Sequence, residues 1–154
     1  MKCASVLPSL FVGPDPRSEE EFQQLKALNI TAILSLQTDE DRRDGSIESE
    51  RAAATEAGLG FCSVPVEDFS HADLQLRLAD CVAALERMLR QGKTVYVHCT
   101  AGVSRSPTVA AAYLHWCLGW ELERALDHLQ ACRDCYPDVD AIRGARWPGD
   151  APSR

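Results

Sequence analysis

Apolar positions along this chain recur at two alternating spacings, one of strands and one of helices. Residues 5–13, Ser-Val-Leu-Pro-Ser-Leu-Phe-Val-Gly, read as one or two short strands interrupted by Pro8 and ended by Gly13-Pro14. Ser18 with Glu21 forms a capping box that opens a helix. Its apolar stripe is Phe22, Leu25 and Leu28, and Asn29 suits its C-terminal end. Ile30 to Leu36 reads as a strand, Ser46 to Ala57 as an alanine-rich helix closed by Gly58, and Phe61 to Val66 as a strand. Ser70 with Asp73 is another cap, after which Leu74, Leu78, Val82, Leu85 and Leu89 keep helical spacing as far as Gly92. Val95-Tyr96-Val97 is a buried strand. Thr108 to Leu118 is apolar on most faces, which predicts a buried helix ended by Gly119. Leu122, Leu126 and Leu129 mark one more helix, broken by Cys135-Tyr136-Pro137. This alternation predicts an α/β fold with a central, mostly parallel sheet flanked by helices. No repeat or linker divides the chain, so residues 1–154 form one domain.

Composition narrows the setting. Charged residues make up 25% and hydrophobic residues 45% of the chain, ordinary values for a globular domain. No apolar run approaches the length that crosses a bilayer, so membrane insertion is not expected. The first residues are too short and mixed for a signal peptide. The seven cysteines are an odd count without framework spacing, which fits a reducing intracellular compartment, cytoplasm or plastid. Cys132-x2-Cys135 with His128 nearby has zinc-like spacing but lacks a second pair to complete four ligands. The net charge of −7 argues against nucleic acid and anionic membranes as partners. Any anion binding must then be a local property. A monomer is expected.

The local property lies between Lys93 and Thr108. Strand 95–97 runs into a loop that begins at Cys99, carries Gly102 in its middle and ends at Arg105, before Ser106-Pro107 opens a helix. A loop entering a helix N-terminus directs backbone N–H groups and a positive dipole end at one spot. The backbone of Thr100, Ala101, Gly102, Val103 and Ser104 is therefore a candidate oxyanion cradle, and Arg105 adds a planar donor fork. Cys99 stands at the mouth of that electropositive cup, where the thiolate is favoured. A thiolate facing a bound oxyanion is equipped to attack phosphorus. The bland alternative is a buried cysteine in a strand-to-helix turn. Another charged stretch, Gln37 to Gly45, reads either as solvated surface or, because it follows a strand's C-terminal end, as part of a ligand rim.

His98-Cys99-x5-Arg105-Ser106 resembles the motif of the cysteine-dependent protein tyrosine phosphatase superfamily, and His-Cys-Thr-Ala-Gly-Val-Ser-Arg-Ser-Pro resembles its dual-specificity branch. The resemblance implies a single protein-tyrosine-phosphatase-like domain and hydrolysis through a phosphocysteine, without metal or cofactor. It implies a general acid in a loop upstream of the cysteine. Val64-Pro-Val-Glu67-Asp68 matches that loop, which makes Asp68 the acid and leaves adjacent Glu67 as the alternative. It also implies that the Ser106 hydroxyl faces the sulfur, although serine there equally suits a helix cap. His98 is expected to bond nearby backbone.

Around the loop, a second likeness appears. Leu36-Gln-Thr-Asp-Glu, Asp68-Phe69 with Asp73-Leu-Gln-Leu-Arg-Leu, and Asp140-Ala-Ile-Arg-Gly-Ala145 resemble glucan phosphatases, the plant starch-excess enzymes and laforin. That likeness implies that Phe69 lies against a sugar chain, as aromatic rings do. Ser104 and Ser106 stand where glucan phosphatases usually carry glycine and the plant enzymes alanine, and Trp147-Pro148-Gly149 interrupts the last helix. Trp116, Trp120 and Trp147 are either core residues or sugar platforms. Phosphorylated glucan leads narrowly over phosphoprotein as the expected substrate partner. The expectation from another class is a non-catalytic phosphate-binding module, which Cys99, Arg105 and Asp68 together argue against.

Overall fold

A computed structural model describes residues 1–42 and 46–149. Arg43 to Gly45, the end of the charged stretch, lie outside the described residues. In chain order the elements are β1 (Ala4–Leu7), β2 (Leu10–Gly13), α1 (Glu19–Ala27), β3 (Ala32–Ser35), a 3-10 turn (Asp39–Asp41), α2 (Ile47–Glu56), β4 (Gly60–Ser63), α3 (His71–Arg90), β5 (Val95–His98), α4 (Arg105–Trp116), α5 (Leu122–Cys132) and α6 (Val139–Gly144).

The sheet runs β1-β2-β5-β3-β4, with only the β1–β2 pair antiparallel. The period of two along each strand sorts side chains to two cores. Leu10, Val12, Ala32, Leu34, Val95 and Val97 face α3, α4, α5 and α6. Ile33 and Tyr96 face α1 and α2, with Phe22, Leu25 and Ala54. Both faces being covered, the central strands β3 and β5 are buried at every position, as parallel strands in α/β folds are.

Registers align the strand ends. Gly13 and Ser35 both stand opposite His98, and Ser35 stands opposite Ser63. The segments after β2, β3, β4 and β5 therefore emerge side by side at one carboxyl edge, where open α/β sheets bind ligands.

Several boundaries differ from the pattern reading. Strands expected over 30–36 and 61–66 are four residues each, yet Val64 and Val66 still donate to the carbonyls of Ser35 and Leu36. Leu28 caps α1 from outside its stripe and is exposed. Helix α4 starts at Arg105 instead of Thr108, placing Pro107 in the first turn. The short α6 follows the Pro137 break and is capped by Asp138, which accepts from the Ala141 N–H. Trp116 and Trp147 stack at 5.4 Å, and both pack partly buried against the core, as does Trp120. They are not free platforms.

Candidate active site

At the carboxyl edge a cavity of about 410 Å³ brings together Cys99, Thr100, Ala101, Val103, Ser104 and Arg105 from the loop after β5 with Glu67, Asp68 and Phe69 from the loop after β4. Gly102 lies behind the lining. It has φ +71°, and a Cβ there would stand 2.5 Å from the Gly13 carbonyl carbon, so only glycine fits.

The loop's shape is held through its carbonyls. All six from Cys99 to Ser104 accept bonds from outside the loop. Cys99 O lies 2.9 Å from His98 Nδ1, Thr100 O accepts from the Asp15 N–H, and Ala101 O and Gly102 O accept from the Arg133 guanidinium at 3.0 and 2.8 Å. Val103 O accepts from the Tyr136 N–H, and Ser104 O from both the N–H and the hydroxyl of Thr108. In a planar trans peptide the next N–H points the opposite way from the carbonyl. Anchoring the carbonyls outward therefore turns the N–H groups of residues 100–105 toward the other side, the geometry of an oxyanion nest.

Side chains complete it. Cys99 is buried at the cavity floor, with Ser106 Oγ 3.4 Å from its sulfur. Ser106 is inside α4 and fully buried; Ser104 occupies the cap position. The capping alternative for Ser106 is thereby corrected, because its hydroxyl faces sulfur. Arg105 is also buried, and its Nη1 donates to Asp41 at 2.7 Å and to Val66 O at 2.8 Å. Nη2 donates to Thr100 Oγ1 and lies 3.3 Å from Asp68 Oδ2. Arg105 thus meets two carboxylates, Asp41 and Asp68; of the neighbours Glu67 and Asp68, Asp68 is the one against it, while the Glu67 backbone N–H donates to Asp73.

Phe69 is wholly exposed on the cavity lip at φ +59°. Such a backbone is rare for a bulky residue and signals a constrained loop. The same loop leads into α3 through Ser70, whose Oγ accepts from the Asp73 N–H as its spacing predicts.

The charged stretch supplies the rim and more. Burial works against ionising Asp41, but the hydrogen bond and charge of Arg105, with the backbone of Thr38, outweigh it and hold the carboxyl below the usual aspartate range. Gln37 is fully buried and donates to both Asp15 and Thr100 Oγ1. Beneath the loop, Glu50 of α2 is buried between Arg42 at 3.0 Å and His98 Nε2 at 2.6 Å. Arg133, Glu50 and Tyr136 carry no motif that singles them out in the sequence, whereas Gln37 belongs to the Leu36-Gln-Thr-Asp-Glu stretch. The Cys132-x2-Cys135 pair does not converge: Cys132 Sγ lies 3.7 Å from His128, whereas Cys135 is buried against Leu129 O.

Comparison with known proteins decides the family. Residues 10–140 match the family described as dual specificity phosphatase, catalytic domain. The chain belongs to that family. Phosphoglucan phosphatase DSP4 of Castanea sativa is 33% identical over 91% of this chain and 38% of its own length. Dual specificity protein phosphatase 5 of Homo sapiens is 33% identical over 83% of this chain and 30% of its own length. The dual-specificity phosphatase domain thus spans about a third of the length of these relatives. Its fold matches the structure of the Cydia pomonella PTP-2 phosphatase with a TM-score of 0.77, at 24% identity, over 92% of this chain and 88% of that one. Within a dual-specificity phosphatase domain, the Cys99–Arg105 loop is the segment that the His-Cys-x5-Arg resemblance singled out.

Proposed function

We propose that this chain hydrolyses phosphomonoesters through a phosphocysteine. The observation that carries the reading is one cavity holding the Cys99 sulfur, the carbonyl-anchored nest, Arg105 and Asp68 together. The phosphoryl group sits in the nest formed by residues 100–104 with Arg105 as its counter-charge. The thiolate of Cys99 attacks phosphorus, the ester P–O bond breaks, and Asp68 gives its proton to the leaving oxygen. Asp68, now a carboxylate, takes a proton from water, which attacks phosphorus and breaks the S–P bond. The Ser106 hydroxyl, 3.4 Å from the sulfur, stabilises the departing thiolate. Inorganic phosphate leaves, and the enzyme returns to its starting state.

For the substrate we favour a phosphorylated glucan, because Phe69 offers a fully exposed ring on the lip of the cavity. The relative named as a phosphoglucan phosphatase is 33% identical over 91% of this chain. The loop serines 104 and 106 favour the second reading, a phosphoprotein. A plastid location accompanies the first reading, since that relative is named amyloplastic. Among the described residues no helix is long and apolar enough to cross a membrane.

The deciding experiment compares phosphate release from phosphorylated amylopectin and from phosphotyrosine and phosphothreonine peptides. Release from amylopectin at a higher kcat/KM supports the glucan reading. The reverse order supports phosphoprotein. Binding of phosphate without release from any ester would make the domain a non-catalytic binding module.

A further inference from the structure

We infer that Arg133 is a positioning residue for phosphate binding: it fixes the direction of the Gly102 and Val103 N–H groups from behind the loop. The inference rests on the proposed phosphatase reading. Arg133 caps α5 in an extended conformation, and its guanidinium spreads over three carbonyls. Nε donates to Gly102 O at 2.8 Å, Nη2 to Ala101 O at 3.0 Å, and Nη1 to Lys2 O at 2.6 Å. The fit is close on both sides of the loop. A Cβ on Gly102 would meet Arg133 Nη2 at 2.8 Å and the Gly13 backbone at 2.5 Å.

No peptide bond among the described residues is cis. Holding Ala101 O therefore turns the Gly102 N–H away from Arg133, and holding Gly102 O does the same for the Val103 N–H. The other four loop carbonyls are each held by a separate residue, whereas Arg133 alone holds two adjacent ones. Only a rigid planar fork can do this, since a lysine ammonium is a single point. Arg133 is not part of the cavity lining, so it acts on the substrate only through the loop. Its charge, behind the nest, also adds attraction for a bound dianion.

The test uses the full chain with Arg133→Ala and Arg133→Lys. Readouts are inhibition by inorganic phosphate and by tungstate, kcat and KM on an aryl phosphate, and the thermal midpoint. Loss of aligned donors should weaken inhibition by both oxyanions about tenfold or more and lower kcat as well. Millimolar guanidinium ion should restore part of the loss in Arg133→Ala, whereas ammonium ion should not. Variants that fold and stay within about twofold of wild type in oxyanion affinity and kcat would overturn the inference. If Arg133→Ala does not fold, Arg133→Lys decides between the same two outcomes, because it keeps the charge and lacks the fork. Failure of the phosphatase reading looks different: the wild-type chain itself would not turn over the aryl phosphate.

Discussion

Two loops meet over the Cys99 sulfur, and they are built in opposite ways. The phosphate loop, residues 99–105, has six consecutive carbonyls bonded to residues on β5 and α4 and in the segments after β2 and α5. Below it lies a fully buried pair, Glu50–His98. The acid loop, residues 67–70, hangs from the first turn of α3 and touches the phosphate loop through the Asp68–Arg105 contact. Its middle residue, Phe69, is entirely exposed. Electrostatic stabilisation of a phosphoryl group needs donors fixed before the reaction, because reorganising them costs rate. Proton delivery needs a carboxyl that can leave Arg105 when phosphate takes its place. One loop is anchored at six successive carbonyls, and the other meets it through the Asp68–Arg105 contact.

The largest expected effect breaks the acid loop chemically without disturbing its fold. Asp68→Asn should lower turnover of esters with poor leaving groups roughly 10²–10⁴-fold and flatten the acid-dependent limb of a bell-shaped pH–rate profile. Glu67→Gln should leave that limb in place. The opposite result would assign the proton to Glu67.

Stability separates the loops next. Glu50→Ala removes one partner of a buried pair beneath the phosphate loop and should cost about 3–5 kcal/mol. Ser70→Ala removes a helix cap at the acid loop and should cost about 1 kcal/mol. Denaturant unfolding measures both, and equal losses would mean that the two loops are supported equally.

A smaller effect sharpens the substrate side. Phe69→Ala should reduce phosphate release from amylopectin about fivefold, the worth of an aromatic contact of about 1 kcal/mol, with much less change on a soluble aryl phosphate. Equal losses on both would mean the ring only supports the acid loop, and phosphoprotein becomes the better substrate.

The smallest effect concerns acid. Because Asp41 binds its proton less readily folded than unfolded, its pair with Arg105 stabilises the fold above the ordinary aspartate value of about 3.9 and is lost as pH falls through the lowered folded value. Asp41→Asn should therefore lower the thermal midpoint near neutrality, and the difference should vanish in strong acid. A gap that persists unchanged at low pH would mean the carboxylate charge is not what Arg105 uses.

Much of this was legible in the order of residues. Local signals did well where the chemistry is local: the Ser18 and Ser70 caps, the apolar runs of β3 and β5, and the Cys99 to Arg105 spacing. The supports of the loop were not legible, because they join distant positions with no period to reveal them. Glu50 looks like one more polar residue on an alanine-rich helix until α2 packs it against His98. Asp41 sits in a charged stretch that reads equally as solvated surface, and only the fold brings it to Arg105. Arg133 follows a helix in a polar segment, and its partners are backbone carbonyls, which carry no residue identity. The acid was legible as a choice between two neighbours, Glu67 and Asp68, of which Asp68 lies 3.3 Å from Arg105. Helix α6, six residues long, is too short to show a period.

The central claim is that phosphorus passes through the Cys99 sulfur. It is tested most directly by acid-quenching Ser106→Ala during turnover of an aryl phosphate and locating the phosphoryl group by peptide mass spectrometry, with Cys99→Ser alongside. Slower breakdown of the intermediate should leave one phosphoryl group on the peptide containing Cys99, while Cys99→Ser binds phosphate but does not turn over. A phosphoryl group on any other residue, or turnover that survives in Cys99→Ser, would contradict it.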